Sequence, residues 1–284
     1  MLNTLEIILV GLMNVTQSTC SKLASDRIKT NEVLSFNVLK SGSAVLFMLL
    51  FFGARLDINT ETAVYAALYG SFLLFSMICG YLALMAGNMA ITSLIVSYSI
   101  VMPYLFGALF LKEKVGFLQV IGFLLLLVSM FLLKKKSGDR VYGKNWGLYT
   151  LITFLCNGAC SIIQKLHQRD FPGQYNKEFN VISLAVIFVV LLVAVIVRGV
   201  RGGGYCRMAF TKFAIPAGVL TAASNSLTLY LSAIVNATIL FPLITVSSAL
   251  FNCIASWAVF KDKLAPRQLF AIALGVGSIL LIRL

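Results

Sequence analysis

Long apolar segments follow one another along the whole chain, separated by short stretches rich in charged residues and glycine. Most segments hold about twenty residues, enough for a helix rising about 1.5 Å per residue to cross a hydrocarbon core about 30 Å thick. Transmembrane β-strands would instead alternate apolar and polar residues over about ten positions. The pattern therefore predicts ten transmembrane helices, at residues 5–25, 33–53, 63–86, 91–111, 115–133, 145–166, 179–198, 213–234, 237–260 and 265–283.

The composition is that of an integral membrane protein. Of the 284 residues, 60% are hydrophobic and 12% are charged, and the mean hydropathy is +0.94, far above that of soluble domains. Ten helices with short connections leave almost nothing for a soluble domain. We expect an all-α protein that passes repeatedly through the cell membrane and has the lipid bilayer as its surroundings.

The net charge of +13 reflects the loops and does not indicate a nucleic-acid partner. Ten helices place both termini on one side, which carries seven of the 23 lysines and arginines, while fifteen lie on the side of the linker at 134–144. Basic residues favour the cytoplasmic side. The bias predicts a cytoplasmic linker and outward termini.

A charged turn between the fourth and fifth predicted helices recurs in the second half of the chain. Residues 112–114, Lys-Glu-Lys, have a counterpart 149 positions later in residues 261–263, Lys-Asp-Lys. A second match, at a shift of 143, aligns NVTQSTCSKL from Asn14 with NGACSIIQKL from Asn157. We expect these charged turns to contact water and lipid headgroups.

The two matches predict an internal repeat. The chain divides into an N-terminal five-helix repeat (1–137), a basic central linker (138–144) and a C-terminal five-helix repeat (145–284). Because each repeat holds an odd number of helices, the two would lie in the membrane in opposite orientations. Inverted repeats are a common construction of secondary transporters, with the substrate near the midplane between the halves.

These features resemble the EamA type of the drug/metabolite transporter superfamily. In that family an acidic residue follows a glycine in the turn between the last two helices of each half, and a proline lies upstream. Pro103 stands ten positions before Glu113, whereas lysine replaces the glycine; the second half has Asp262, with its proline displaced to Pro242. The resemblance implies ten helices, of which the first four of each half surround a central cavity, while the fifth and tenth lie outside. Members are generally drawn with cytoplasmic termini, which conflicts with the charge bias.

Lys40 is a basic residue inside a predicted helix. It lies about 11 Å from the helix start, farther than its stem can reach by snorkelling. A charge left there costs about 2.5–3.5 kcal/mol on insertion scales. Ser183 occupies the equivalent position in the other repeat. Because this cation has no counterpart in the other repeat, it predicts binding of an anionic group such as a carboxylate. The alternative is that Lys40 pairs with a neighbouring carbonyl or hydroxyl group of the protein.

Polar side chains also recur on one face of the first helix and on one face of its counterpart, the sixth. Helical spacing places Asn14 with Gln17, and Asn157 with Gln164. Such residues either bond neighbouring helices or line a polar cavity. The predicted substrate-binding residues are Lys40, Asn14, Gln17, Asn157, Gln164, Tyr98 and Asn225.

Little in the sequence favours catalysis or a metal site. His167 is the only histidine, most of the six cysteines lie in apolar segments, and the ten acidic residues lie in loops or near helix ends. An active site or a metal needs a deeper cluster of such groups. We expect no enzymatic activity, no cofactor and no metal, and the absence of a midplane carboxylate disfavours an organic-cation exchanger.

The sequence predicts an alternating-access carrier of a small polar metabolite, such as an amino acid or another carboxylate-bearing compound. Two alternatives stay open: a scaffold or sensor that keeps the transporter fold without flux, and a carrier of lipid headgroups or nucleotide sugars. The second alternative would need more cavity cations than Lys40 provides. The sequence does not determine the substrate, the direction of transport, the coupling ion or whether the protein forms a homodimer.

Overall fold

The computed structural model describes residues 2–25, 33–53, 55–86, 96, 98–133, 145–200, 211–260 and 266–283. These residues form ten α-helices and no strand, and a 3₁₀ turn at Tyr98–Ile100 leads into the fourth helix. The helices are α1 (Leu2–Ser25), α2 (Val33–Phe52), α3 (Thr60–Ala86), α4 (Val101–Leu109), α5 (Phe117–Leu133), α6 (Trp146–Asp170), α7 (Asn176–Val200), α8 (Thr211–Ile234), α9 (Ala237–Phe260) and α10 (Pro266–Arg283).

The predicted all-α architecture and the order of its helices are confirmed, and the differences lie at helix ends. α3 begins at Thr60 and α7 at Asn176, and α6 continues to Asp170. Polar terminal turns escape a hydropathy pattern, although their backbone hydrogen bonds continue the helix. The linker at 138–144, the charged turn at 261–263 and residues 87–95 near the fourth predicted helix lie outside the described residues.

Several helices in the described part of the chain have the length and composition of membrane spans. The five segments long and apolar enough to cross a bilayer are Leu34–Phe52, Thr60–Gly80, Trp146–Asp170, Asn176–Val197 and Lys212–Ile234. Shorter apolar helices cover Tyr98–Leu109, Phe117–Ser129, Ala237–Ser248 and Ala273–Ile282.

The helices form two compact units. Unit 1 comprises Met1–Gly11, Phe72–Leu166 and Leu231–Leu284, and unit 2 comprises Leu12–Ser71 and His167–Tyr230. Each unit draws segments from both predicted repeats, so this division differs from the repeats, which stay a prediction.

In unit 2, α2 packs along α7. Small residues let the helices approach closely: a methyl group at Gly70 of α3 would lie only 2.7 Å from the Ser183 carbonyl oxygen of α7. Close packing of small residues is a main source of helix association in membranes. The buried cluster between α2, α7 and α8 consists of Ala44, Met48, Val181, Leu184 and Ala222.

In unit 1, α4 packs against α9 and α5 against α10. An added Cβ at Gly122 of α5 would lie 2.9 Å from the Ile282 backbone nitrogen of α10, so this close contact depends on glycine. The pairs α2–α7, α4–α9 and α5–α10 each join helices that hold equivalent positions in the two predicted repeats.

Candidate functional site

Lys40 lies in the first half of α2, with a half-buried side chain. Ser43 Oγ donates to the Lys40 carbonyl oxygen at 2.9 Å and to the Ile215 carbonyl oxygen of α8 at 3.5 Å. Gly218 of α8 faces the same Lys40 carbonyl so closely that a methyl group would not fit. α8 therefore packs directly against the turn of α2 that carries Lys40.

Lys40 has no carboxylate partner in the part of the chain that the structure describes. Cys20 of α1 is close enough to interact with it electrostatically, and the two ion pairs among the described residues join other side chains. A lysine on a membrane helix requires a partner or a wet cavity.

Asn14, Gln17 and Asn225 lie in the same unit as Lys40. Asn14 Oδ1 of α1 accepts a hydrogen bond from Ser224 Oγ of α8 at 2.5 Å. Gln17 and Asn225 are half-buried, and their side-chain amides bond to no other described residue. An amide supplies two N–H donors and one accepting oxygen, so unit 2 contains both a cation and hydrogen-bonding amides.

The other three predicted residues lie in unit 1, where they bond to neighbouring groups. Asn157 Oδ1 accepts from Ser76 Oγ of α3 at 2.8 Å, and the Tyr98 hydroxyl donates to the Leu127 carbonyl oxygen of α5 at 3.3 Å. Gln164 is buried and also has an interacting neighbour. The Asn157 and Tyr98 contacts connect helices, a role that the sequence left open for single polar residues.

Glu113 forms a buried polar site that the sequence did not predict. Only 8% of its side chain is exposed, so the expectation that this residue contacts water and headgroups is wrong. Its Oε1 accepts from the Ala237 N–H at 2.9 Å, and its Oε2 accepts from the Thr238 N–H and hydroxyl at 3.0 and 2.9 Å. Glu113 therefore caps the N-terminus of α9, where a negative charge is favourable.

Lys165 of α6 binds the end of α8, on the other side of the short turn that joins α8 to α9. Its Nζ donates to the Ser232 and Val235 carbonyl oxygens at 3.0 and 2.7 Å, where α8 ends, and lies 3.6 Å from Glu113 Oε1. A cation at a helix C-terminus interacts favourably with the helix dipole. The alignment of Lys165 with Lys22 in the repeat was the sequence signal that could have pointed to this residue.

The backbone at Lys112 explains how Glu113 reaches α9. Lys112 has a φ of 52°, in the left-handed region that glycine adopts most easily. The Glu113 N–H then donates to the Gly107 carbonyl oxygen at 3.1 Å, and the chain folds back over the end of α4. This conformation is a physical reason for glycine before the acid in the family that the sequence resembles.

A second buried network surrounds His167 near the end of α6. The Gln168 side-chain nitrogen lies 2.9 Å from His167 Nδ1 and donates to Asn176 Oδ1 at 2.5 Å, and Thr62 Oγ1 lies 3.3 Å from His167 Nε2. The Gly173 N–H donates to Gln168 Oε1 at 3.1 Å, which supports this orientation of the amide. Because an amide nitrogen only donates, Nδ1 accepts and Nε2 carries the proton. The network joins α3, α6 and α7.

Comparison with known proteins finds a likeness in part of the sequence and in the overall fold. Residues 4–134 match the model of the EamA-like transporter family. A crystal structure of another protein, with 13% sequence identity, matches at a TM-score of 0.73 over 99% of this chain and 98% of its own; at that identity the likeness shows the fold alone. No curated protein matches the sequence. Residues 4–134, just under half of the chain, are therefore similar to the EamA-like transporter family, which is part of the drug/metabolite transporter superfamily.

Proposed function

We propose that the protein is an alternating-access carrier for a small polar metabolite that bears a carboxylate, such as an amino acid or a related compound. The observation that carries this proposal is Lys40, a half-buried cation on a membrane-spanning helix without a carboxylate partner among the described residues. A substrate carboxylate would supply the missing negative charge.

The energetic argument favours an anionic group over a neutral one. A lysine charge at depth in the bilayer costs about 2.5–3.5 kcal/mol on insertion scales. A hydrogen bond to a charged group contributes about 1.5–3 kcal/mol, so a bound carboxylate offsets much of this cost. A neutral ligand offsets less, and a cationic ligand adds repulsion.

In this proposal, the amides of Asn14, Gln17 and Asn225 bind the remaining polar groups of the substrate. The side-chain amides of Gln17 and Asn225 bond to no other described residue, and Asn14 uses its oxygen to accept from Ser224. Substrate contacts by Asn157, Gln164 and Tyr98 stay predictions, which the same transport assay tests residue by residue.

The family and the helix pairing support a carrier over an enzyme. The pairs α2–α7, α4–α9 and α5–α10 join equivalent helices of the two predicted halves, as expected where two related repeats of opposite orientation make up a transporter. The proposal includes location in the cell membrane and no enzymatic reaction.

The test starts from a thermal-shift screen of the purified protein against metabolites, and each hit is then assayed for exchange in proteoliposomes. A carrier exchanges labelled ligand across the membrane, whereas a scaffold or sensor only binds it. Hits confined to nucleotide sugars or lipid headgroups would favour a carrier of those compounds over a carrier of a small carboxylate.

The variant that tests the anion site is Lys40→Met, for which we expect uptake to fall at least tenfold because a contact of about 1.5–3 kcal/mol is lost. Lys40→Arg keeps the charge and should retain part of the activity. Lys212→Met removes an exposed cation of α8 and serves as the matched control. Unchanged uptake by Lys40→Met would show that Lys40 does not bind the substrate.

A further inference from the structure

A cleft of about 520 Å³ opens within unit 2, between α1, α2, α7 and α8. This volume lies within the roughly 300–1,000 Å³ of small-molecule sites. Aromatic rings form one wall: Phe47 stacks on Phe51 with ring centroids 5.4 Å apart, and Phe51 meets Phe52 edge-on at 5.3 Å. A ligand of this cleft would place an apolar portion against these rings.

The direction of the cleft follows from the register of α2 and α8. Gly218 packs against Lys40, and eight residues further along both helices Ser226 Oγ lies 3.3 Å from Met48 Sδ. The two helices therefore run in the same direction. Ala223 lines the cleft at the end away from the C-termini of these helices.

The polar end of the cleft lies at the C-terminal end of α2. Lys177, near the start of α7, lines the cleft and donates from Nζ to the Arg55 carbonyl oxygen in the segment after α2. An ammonium group has three N–H donors, so donors are left for a ligand. The carboxylate of Glu178 is turned elsewhere, because it accepts from the Asp57 N–H at 3.3 Å and does not line the cleft.

The rim of the cleft is exposed on membrane-spanning helices. Phe51, Phe52 and Tyr230 have 72%, 47% and 47% of their surfaces exposed. A tyrosine near a helix end, such as Tyr230, lies at the level of lipid headgroups, and exposed apolar surface such as that of the phenylalanines contacts acyl chains. A lipid can therefore enter the cleft from the bilayer without leaving its own leaflet.

We propose that this cleft binds a membrane phospholipid with an anionic headgroup. Its phosphate lies at Lys177, and one acyl chain follows Phe47 and Leu227 toward Ala223. The cleft has a cation at the ends of the helices and apolar walls deeper inside. A phospholipid has its charged phosphate and its hydrocarbon chains in the same order. Basic pockets between transmembrane helices bind anionic headgroups by the same electrostatic attraction.

Native mass spectrometry of the full-length protein in detergent tests this assignment. The protein is mixed with equal amounts of phosphatidylglycerol and phosphatidylcholine that carry the same acyl chains. We expect one retained phosphatidylglycerol, at least threefold preferred over phosphatidylcholine, because only the former has a net negative headgroup. Phosphatidylglycerol with six-carbon chains should be retained several-fold less, because it leaves the apolar part of the cleft unfilled.

Variants separate the headgroup contact from the acyl-chain contact. Lys177→Gln should reduce the headgroup preference to about one, whereas Lys212→Gln, which removes a cation outside the cleft, should keep it. Ala223→Trp should reduce retention of both long-chain lipids by occupying the inner end. Equal retention of the two lipids by the wild type, or a preference that survives Lys177→Gln, would overturn the proposal. The comparison of long and six-carbon chains needs no variant, and it shows whether the acyl chain occupies the cleft even if Ala223→Trp does not fold.

Discussion

Glu113 Oε1 lies 3.6 Å from Lys165 Nζ, and these two side chains hold opposite ends of the turn between α8 and α9. Only 8% of the Glu113 side chain and 12% of the Lys165 side chain are exposed. Each residue also satisfies backbone groups at a helix terminus. Loss of either one therefore leaves a buried charge and several backbone groups without their partners.

Glu113→Ala is expected to lower the free energy of unfolding by about 3 kcal/mol, because it removes a helix cap together with one member of a buried ion pair. Thermal denaturation of the purified protein in detergent, followed by circular dichroism, measures the change. Lys114 lies beside Glu113 in the turn between α4 and α5, but its side chain is exposed. Lys114→Ala is therefore the control and should change the free energy of unfolding by less than about 0.5 kcal/mol.

A double-mutant cycle measures the ion pair itself. Glu113→Gln and Lys165→Met combined should cost less than the sum of the two single changes, by about 1 kcal/mol or more, because the second change removes a charge that the first has already left without its partner. Additive losses would contradict a direct interaction between these side chains.

Lys112→Gly is expected to stabilise the protein by about 0.5–1 kcal/mol. The left-handed conformation at Lys112 costs a non-glycine residue about 1–2 kcal/mol, and the added freedom of glycine in the unfolded chain cancels part of the gain. The melting temperature should therefore rise. Lys114→Gly, in the same turn, should lower it, and a lower melting temperature for Lys112→Gly would argue against the φ of 52° at this position.

His167→Ala should destabilise the protein by about 3 kcal/mol, because it opens a cavity and leaves the side chains of Thr62 and Gln168 without their partner. His167→Phe fills the space but cannot bond, and we expect a loss of about 1–3 kcal/mol. Arg169→Ala, at an exposed position two residues further along the same helix, should lower the free energy of unfolding by less than about 1 kcal/mol. If His167→Phe melted like the wild type, the hydrogen bonds of His167 would contribute nothing.

Gly218→Ala should separate α8 from α2, because its new methyl group would overlap Ser43 Oγ and the Lys40 carbonyl oxygen. Overpacking of this kind costs about 1–3 kcal/mol, and the shift of α2 should also weaken binding of any ligand held by Lys40. Gly277→Ala, where nothing lies within 4 Å of the added atom, is the matched control. Equal melting temperatures for the two variants would contradict the close approach of α2 and α8.

The helices could be predicted from the sequence because a membrane span depends on the length of an apolar segment, which is a local property. For the same reason Lys40 was identified as a cation within a helix. The pattern was less informative where a helix continues into polar residues. α6 extends through His167 and Gln168 to Asp170, and its last turn is held by contacts that hydropathy does not record.

The pairing of polar groups could not be predicted in this way. Asn14 bonds to Ser224, and Glu113 bonds to Thr238, across separations of 210 and 125 residues. Spacing along one helix shows which residues share a face, but not which other helix that face meets. The same charged turn therefore suggested contact with water in the sequence, whereas the fold places its carboxylate on the N-terminus of α9.

The sequence by itself determined the membrane class, the number and order of the helices, and the presence of a cation within α2, since these follow from local hydrophobicity and charge. Only the tertiary structure decided that Glu113 and Lys165 are structural, that Asn157 and Tyr98 bond to neighbouring helices, and that Lys177 stands at the end of an apolar cleft. These roles depend on contacts between distant segments, which the spacing of residues along a single helix does not show.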